Sequence, residues 1–300
     1  MASVPPVGAR VSIRYRLPAG SSPPMTDVIG HVQALDPVVL RTKSGELVSI
    51  SPADVIAVRE LSDRPVRASE IRALEHAAAL AWPGTEQHWH DGWFLRAGGG
   101  YTSRANSAVP LDVSATIAGL DGVIDWYRER GLDPWLALPD RLVPVRTAGI
   151  KHTRVMVADL AYANPDGAVT FQDRPDDDWL TRYERDVPVP VLTAVVDGEL
   201  VFASTPGTAV GRGAVTSAPD GTRWLGISAV HVTAGQRRSG HARSLCRALL
   251  GWGAQQGASR AYVQVLEDNA AAIALYSGFG FVLHHHHRYV DARSVLGRTL

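Results

Sequence analysis

Three hundred residues exceed what one ordinary hydrophobic core supports, so two or three domains are expected. Lys plus Arg and Asp plus Glu number 30 each and 45% of residues are hydrophobic, a globular composition with no net charge to draw nucleic acid or a membrane surface. A lone cysteine, Cys246, excludes an internal disulfide, no apolar run is long enough to span a bilayer, and Met1–Arg10 lacks a signal-peptide core, so a cytoplasmic location is expected.

Residues 7–60 carry five short strand-like runs, at 10–16, 28–35, 38–42, 46–50 and 55–60. A loop rich in Pro, Ser and Gly at 18–24 and the hairpin signal Ser44-Gly45 punctuate them. Five strands in so short a span predict a small all-β, SH3-like barrel over residues 1–62. Fold alone favours a structural or dimerising module over a binder of peptide or nucleic acid. Arg10, Arg14 and Arg16 alternate on one strand, which reads first as a solvated face and second as a contact for phosphate or an acidic partner.

Pro65 marks a linker. Helices follow over 68–82 and 114–130, with strands at 89–97 and 100–105 around Gly98-Gly99-Gly100, then at 134–138 and 154–160. Asp176, Asp177 and Asp178 open a short helix ending near 183; Asp favours a first turn, and attraction of a cationic amine is the alternative. A hairpin is expected across Asp197-Gly198, joining 191–197 to 199–203, and the glycine-rich stretch 205–221 is expected to be mobile.

Residues 225–232 form an apolar, part β-branched run, followed by a glycine-containing loop at 233–242. A helical pattern then puts Ala242, Leu245, Cys246, Leu249 and Gly253 on one face. A strand at 261–265, a small helix at 269–276 and a strand at 281–289 complete the chain. Strand, glycine loop and helix place free amides and a positive dipole end where a pyrophosphate would fit. Gly235 and Gly240 have Walker-type spacing, but His241 and Ala242 stand where Lys and Ser/Thr are needed, which excludes an NTPase loop. A dinucleotide fingerprint fails as well, lacking its third glycine and its acidic residue.

What remains is Arg237-Arg238-Ser239-Gly240-His241-Ala242, of the form (Arg/Gln)-x-x-Gly-x-(Gly/Ala), which resembles the acetyl-coenzyme A loop of the GNAT N-acetyltransferase superfamily. Downstream, Asn269, Ala272, Tyr276 and Gly280-Phe281 resemble that superfamily's N-x-x-A-x-x-x-Y-x-x-x-G-F segment. Gly92-Trp93-Phe94-Leu95-Arg96 and the segment 102–107 look like signatures of an actinobacterial multidomain GNAT group with an N-terminal SH3-like barrel. The resemblance implies an α+β fold: a mixed sheet flanked by helices, with a catalytic GNAT domain over 166–300 and a degenerate GNAT-like half over 66–165. It also implies acetyl transfer from acetyl-coenzyme A to a primary amine of a small molecule or protein. In that reading, backbone N–H groups near Val230 and Val232 polarise the thioester, and amides of Arg238, Ser239, Gly240, His241 and Ala242 hold the pyrophosphate beside Arg237. Tyr276 is the expected general acid and Asn269 a contact for the cofactor arm. Arg104 and Asn106 are candidates for the acceptor pocket.

The base is open: His231 is the nearest titratable residue, Glu267 and Asp268 are rivals, and a water chain serves equally. His284, His285, His286 and His287 alternate sides on a strand; without Cys, Asp or Glu to complete a set, a polar face or pocket wall is expected and no metal. The alternative of another class is a non-catalytic acyl-coenzyme A-binding regulator. No membrane partner is expected, and nucleic acid is not favoured.

Overall fold

The computed structural model describes residues 4–160 and 169–297. The chain divides into two compact units, 1–66 and 67–300.

The first unit is all β. Strands β1 (Arg10–Arg16), β2 (Met25–Leu35), β3 (Val38–Thr42), β4 (Leu47–Ile50) and β5 (Val55–Glu60) form one sheet in the order β4-β3-β2-β1-β5. Alternation buries Val11, Ile13, Val32, Val38, Leu40 and Ile50 on one face. The small barrel-type unit expected from the sequence is therefore present. Of the alternating arginines, Arg14 forks onto Asp27 at 2.9 and 2.8 Å, and Arg10 donates to the Ser62 carbonyl.

The second unit opens with α1 (Ala68–Ala81). Next come β6 (Glu86–His90), β7 (Trp93–Ala97) and β8 (Val109–Pro110), a three-stranded sheet. The turn between β6 and β7 is Asp91-Gly92, with φ of 44° and 82°, as a tight hairpin requires. The strand expected at 100–105 is a loop instead. Then follow α2 (Leu120–Arg128), β9 (Trp135–Pro139), β10 (Ile150–Asp159) and β11 (Thr170–Gln172). The remainder is α3 (Asp177–Tyr183), α4 (Val189–Leu192), β12 (Glu199–Thr205), β13 (Ala209–Ser217), β14 (Arg223–Val232), α5 (His241–Gln255), β15 (Arg260–Leu266), α6 (Ala270–Ser277), β16 (Val282–Asp291) and α7 (Ala292–Val295).

Eight strands build the main sheet, ordered β11-β12-β13-β14-β15-β10-β16-β9. All neighbouring pairs are antiparallel except β14 and β15. This corrects the division into halves at 66–165 and 166–300. Strand β10 lies between β15 and β16, matching Thr153–Asp159 against Leu266–Arg260, so both segments share one sheet. The boundary itself, at residues 165 and 166, lies outside the described residues.

Two other expectations change. The segment at 191–197 is the end of α4 and a turn, not a strand, and the glycine-rich stretch contains β13. Its glycines are there for α5: a Cβ on Gly211 would lie 2.9 Å from Leu245 and one on Gly213 3.0 Å from Leu249. The opposite face of β13 meets α1, with Thr216 donating to the Ala77 carbonyl and Arg212 to that of Ala81. The sheet is thus sandwiched between α5 and α1. Leu245, Cys246 and Leu249 are fully buried against Leu225, Ile227 and Val263. Truncating one such leucine to alanine would cost about 2–5 kcal/mol.

Candidate active site

Strands β14 and β15 run parallel, yet they pair only at Trp224↔Arg260, Leu225↔Ala261 and Gly226↔Tyr262. Beyond Gly226 they separate. On its other edge, β14 sets Ala229 and Val230 against the single Gly211 of β13, with Ala229 left-handed at φ 53°. Such a bulge bends a strand and raises its twist. At the fork, the Tyr262 hydroxyl would lie 2.3 Å from a Cβ at position 226, so only glycine fits.

The fork opens a cleft of about 640 Å³. Residues 227–231 of β14 form one wall and residues 263–266 of β15 the other. From α6 come Asn269, Ala272 and Tyr276; Trp82, Arg104, Lys151, Arg185 and His287 complete the lining among others.

Tyr276 is only 6% exposed, and its ring packs 5.6 Å from that of Phe281. Burial first, then the neighbouring Cys246, pushes the phenol well above the usual tyrosine range. The two side chains share a hydrogen bond, and burial lifts the Cys246 thiol to about 12. Both therefore stay protonated at neutral pH. Tyr276 can give a proton but cannot serve as a base. Asn269 caps α6, its side chain accepting from the Ala272 amide at 3.1 Å.

His231 lines the cleft on the bulged end of β14. Its Nε2 sits 3.3 Å from Glu184 Oε2, an ion-pair distance without hydrogen-bond alignment. Glu184 is the left-handed cap of α3, at φ 53°. Sequence reading missed it: its role depends on β14 folding back beside α3. The preceding acidic cluster serves α3 itself, since Asp176 caps the helix through the Trp179 amide at 2.7 Å and Asp178 pairs with Arg182.

Val230 lines the cleft, whereas Val232 pairs with Ala209 and its carbonyl accepts from Arg237 at 3.2 Å. The loop 237–242 follows directly and is not part of the cleft wall. Arg238 and Gly240 are left-handed, at φ 66° and 87°, and Gly240 caps α5. Arg237, Arg238, Ser239 and Gly240 are exposed, His241 and Ala242 half-buried. The first amides of α5 have no intrahelical acceptor and open to solvent.

Arg104 lines the cleft, 5.6 Å from the Trp82 ring centroid. Asn106 does not, which corrects that assignment. It is buried, its Oδ1 accepts from the amides of Gly98 and Gly100 at 2.8 Å each, and its Nδ2 donates to the Thr102 carbonyl. Its polar atoms fasten the loop that presents Arg104.

The histidine run is mostly buried. His285 Nε2 lies 2.8 Å and His287 Nδ1 3.5 Å from Glu75 Oε1 of α1, while His284 Nδ1 meets His285 Nδ1 at 2.7 Å. Strict alternation fails because β16 carries an extra residue at His284 against β10. Burial alone would raise the Glu75 pKa, but its hydrogen bonds to His285 and His287 outweigh it and hold the carboxyl well below the usual range. His286 faces Asp140 at 3.7 Å and Glu267 at 3.4 Å.

Comparison with known proteins agrees with this architecture. The family described as "Probable histone acetyltransferase Rv0428c C-terminal" matches residues 68–290, and that described as "Rv0428c N-terminal Sm-like domain" matches residues 5–59. A protein of Mycobacterium tuberculosis (strain ATCC 25618 / H37Rv) named "Probable histone acetyltransferase Rv0428c" is 52% identical over 299 residues, covering 98% of each chain. "Uncharacterized N-acetyltransferase YobR" of Bacillus subtilis (strain 168) is 26% identical, over 73% of this chain and 98% of its own. A GCN5-related N-acetyltransferase from Kribbella flavida superposes with a TM-score of 0.51 at 14% identity, covering 76% of this chain and 96% of its own. A GNAT-family structure from Novosphingobium aromaticivorans gives 0.53 at 18%, over 72% and 96%. The chain belongs to the Rv0428c-type family of GNAT acetyltransferases, with an Sm-like, SH3-related N-terminal domain.

Proposed function

We propose that the chain moves the acetyl group of acetyl-coenzyme A to a primary amine by direct attack, inside the fork between β14 and β15. The observation that carries this reading is the fork itself, with His231 on one wall and Tyr276 on α6 beside it. The bulge at Ala229 frees β14 backbone near Val230 from sheet pairing. An amide there would donate to the thioester oxygen and hold the oxyanion as it forms. The amides of residues 238–242 would hold the pyrophosphate, with Arg237 and Arg238 adding charge. His231, steadied by Glu184, takes the proton that the amine must lose. Tyr276, protonated at neutral pH, gives its proton to the departing thiolate. Asn269 lines the same cleft and lies at the end of the cofactor arm in this reading.

The acceptor is an amine in either form, a small molecule or a protein lysine; the relative's name refers to histones. Turnover of acetyl-coenzyme A with a panel of amines tests the proposal. Release of free coenzyme A matched by acetylated amine is expected. Tight binding with no turnover on any amine would leave a non-catalytic acyl-coenzyme A-binding protein.

A further inference from the structure

Three cations from separate segments meet in the cleft. Arg104 comes from the loop between β7 and β8, Lys151 from the start of β10 at φ 51°, and Arg185 from just after α3. Lys151 Nζ donates to Ser103 Oγ at 2.6 Å. The guanidinium groups of Arg104 and Arg185 lie 5.6 and 5.9 Å from the rings of Trp82 and Tyr183. Among the described residues, none of the three forms an ion pair with a carboxylate. Arginines elsewhere on the unit do: Arg130 with Glu86, Arg223 with Glu199, Arg260 with Asp159 and Arg293 with Asp133. Asp186 is the one carboxylate among the described cleft-lining residues, and nearby Glu184 lies 3.3 Å from His231.

A second layer of positive charge stands behind this wall. Arg212 is fully buried, 4.4 Å from the Trp82 centroid, and its side chain donates to the carbonyls of Leu192, Ala81 and Ala194. Its Nη1 has no hydrogen-bond partner among the described residues. Burial, then repulsion from Arg104, lowers its pKa to about 9. Arg96, also buried, bonds to the carbonyls of Ser107 and Trp82 and to the Ser107 hydroxyl. Glu75, the buried carboxylate whose charge acts on Arg96, is spent on His285 and His287. Trp82, whose ring both Arg212 and Arg104 approach, is itself tied to the cleft wall by its Nε1 donating to Ser228 Oγ at 3.1 Å.

Burying cations without a carboxylate partner is costly, and the charge of Arg104 raises the cost for Arg212. An anion in the cleft would relieve both, and arginine forks match carboxylate and phosphate oxygens. We propose that the acceptor amine also carries a carboxylate or a phosphate, and that Arg104, Lys151 and Arg185 form the subsite that holds that anion. This rests on the cleft being the acceptor site, as proposed above. A polycationic, lysine-rich protein segment is disfavoured by the same charges.

The experiment compares matched probes on the full-length chain: lysine against cadaverine, glucosamine 6-phosphate against glucosamine, and a lysine-rich peptide. Turnover is measured with acetyl-coenzyme A, and calorimetric binding separately with a non-transferable coenzyme A analogue present. The anionic member of a pair should be favoured by about 10- to 100-fold, the effect of one or two charge-assisted hydrogen bonds. Which pair shows it separates carboxylate from phosphate. Arg104→Ala and Arg185→Ala should abolish the preference and leave acetyl-coenzyme A affinity unchanged. A binding preference without turnover keeps the subsite and overturns the acetyl-transfer reading. Turnover without preference, or with the lysine-rich peptide preferred, overturns the subsite. Loss of acetyl-coenzyme A affinity in the variants also overturns it, because the cations would then hold the coenzyme.

Discussion

His231 Nε2 lies 3.3 Å from Glu184 Oε2, although one residue ends a bulged strand and the other caps a short helix. Both placements need a left-handed backbone, at Ala229 and at Glu184 itself. Strain of this kind costs on the order of 1–3 kcal/mol per residue and persists where the surroundings enforce it. Removing the imidazole with His231→Ala should lower kcat/KM for the amine by about 10²–10⁴-fold, the usual share of a general base. Glu184→Gln should give a smaller loss, and acetyl-coenzyme A binding should change in neither. Steady-state kinetics beside calorimetry checks both, and wild-type rates in His231→Ala would take the base role from His231 and leave it to Glu267, Asp268 or water.

The loop before α5 makes a sharper demand on conformation than on space. Nothing lies within 4 Å of a Cβ placed on Gly240, yet its φ is 87°. Gly240→Val should therefore cost coenzyme affinity through backbone distortion of the amides, not through bulk. Gly240→Asn, which tolerates the left-handed region, should retain most of the affinity. Titration calorimetry on the two folded variants decides: equal affinities would remove the loop from the binding site.

The buried cluster under β16 predicts acid lability. The Glu75 carboxyl is held below its ordinary range, so its contribution is present above about pH 4.3 and lost as the pH falls through its folded value. Burial, followed by the His285 charge, lowers His284 to about 3. The unfolded chain takes up that proton below about pH 6.5, whereas the folded chain does so only near its lowered value. Both groups thus favour unfolding as pH drops, and each full proton contributes about 1.4 kcal/mol per pH unit. Scanning calorimetry should show Tm falling from pH 7 to pH 4. His284→Leu should flatten the upper part of that decline, and an unchanged slope would contradict the assignment.

How far the sequence could be read follows the range of the interactions involved. The loop 237–242 and the run from Asn269 to Phe281 are local, so their spacing survives in the chain itself. The first unit was equally legible, because short alternating strands and their turns are neighbours in sequence. The strand at β10 was legible, but its partners were not: its place between β15 and β16 joins residues about a hundred positions apart, and no local pattern encodes that pairing. Gly211 and Gly213 looked like loop glycines because the helix that requires them comes later in the chain. Asn106 carried an acceptor-site pattern, but two loop amides hold its side chain. Glu184 and Lys151 have no motif at all. They become site residues only through left-handed backbone positions at element ends.

Tyr276 offers the most direct test of the chemistry. The phenol is buried beside Cys246 and its ring packs on Phe281. Phenylalanine preserves that packing and removes only the hydroxyl. General acid catalysis supplies about 10²–10⁴-fold, so Tyr276→Phe should lower kcat by an amount in that range with acetyl-coenzyme A affinity nearly constant. Because burial and Cys246 raise the phenol's pKa, Tyr276 stays protonated well into the alkaline range. The wild-type rate should then show no decline up to about pH 10 that the Phe variant lacks. Cys246→Ala removes the phenol's hydrogen-bond partner and should lower kcat less than Tyr276→Phe does. If Tyr276→Phe loses coenzyme binding together with turnover, the ring is a packing element of the cleft. If it loses neither, the thiolate takes its proton from elsewhere and the acid role assigned to Tyr276 is wrong.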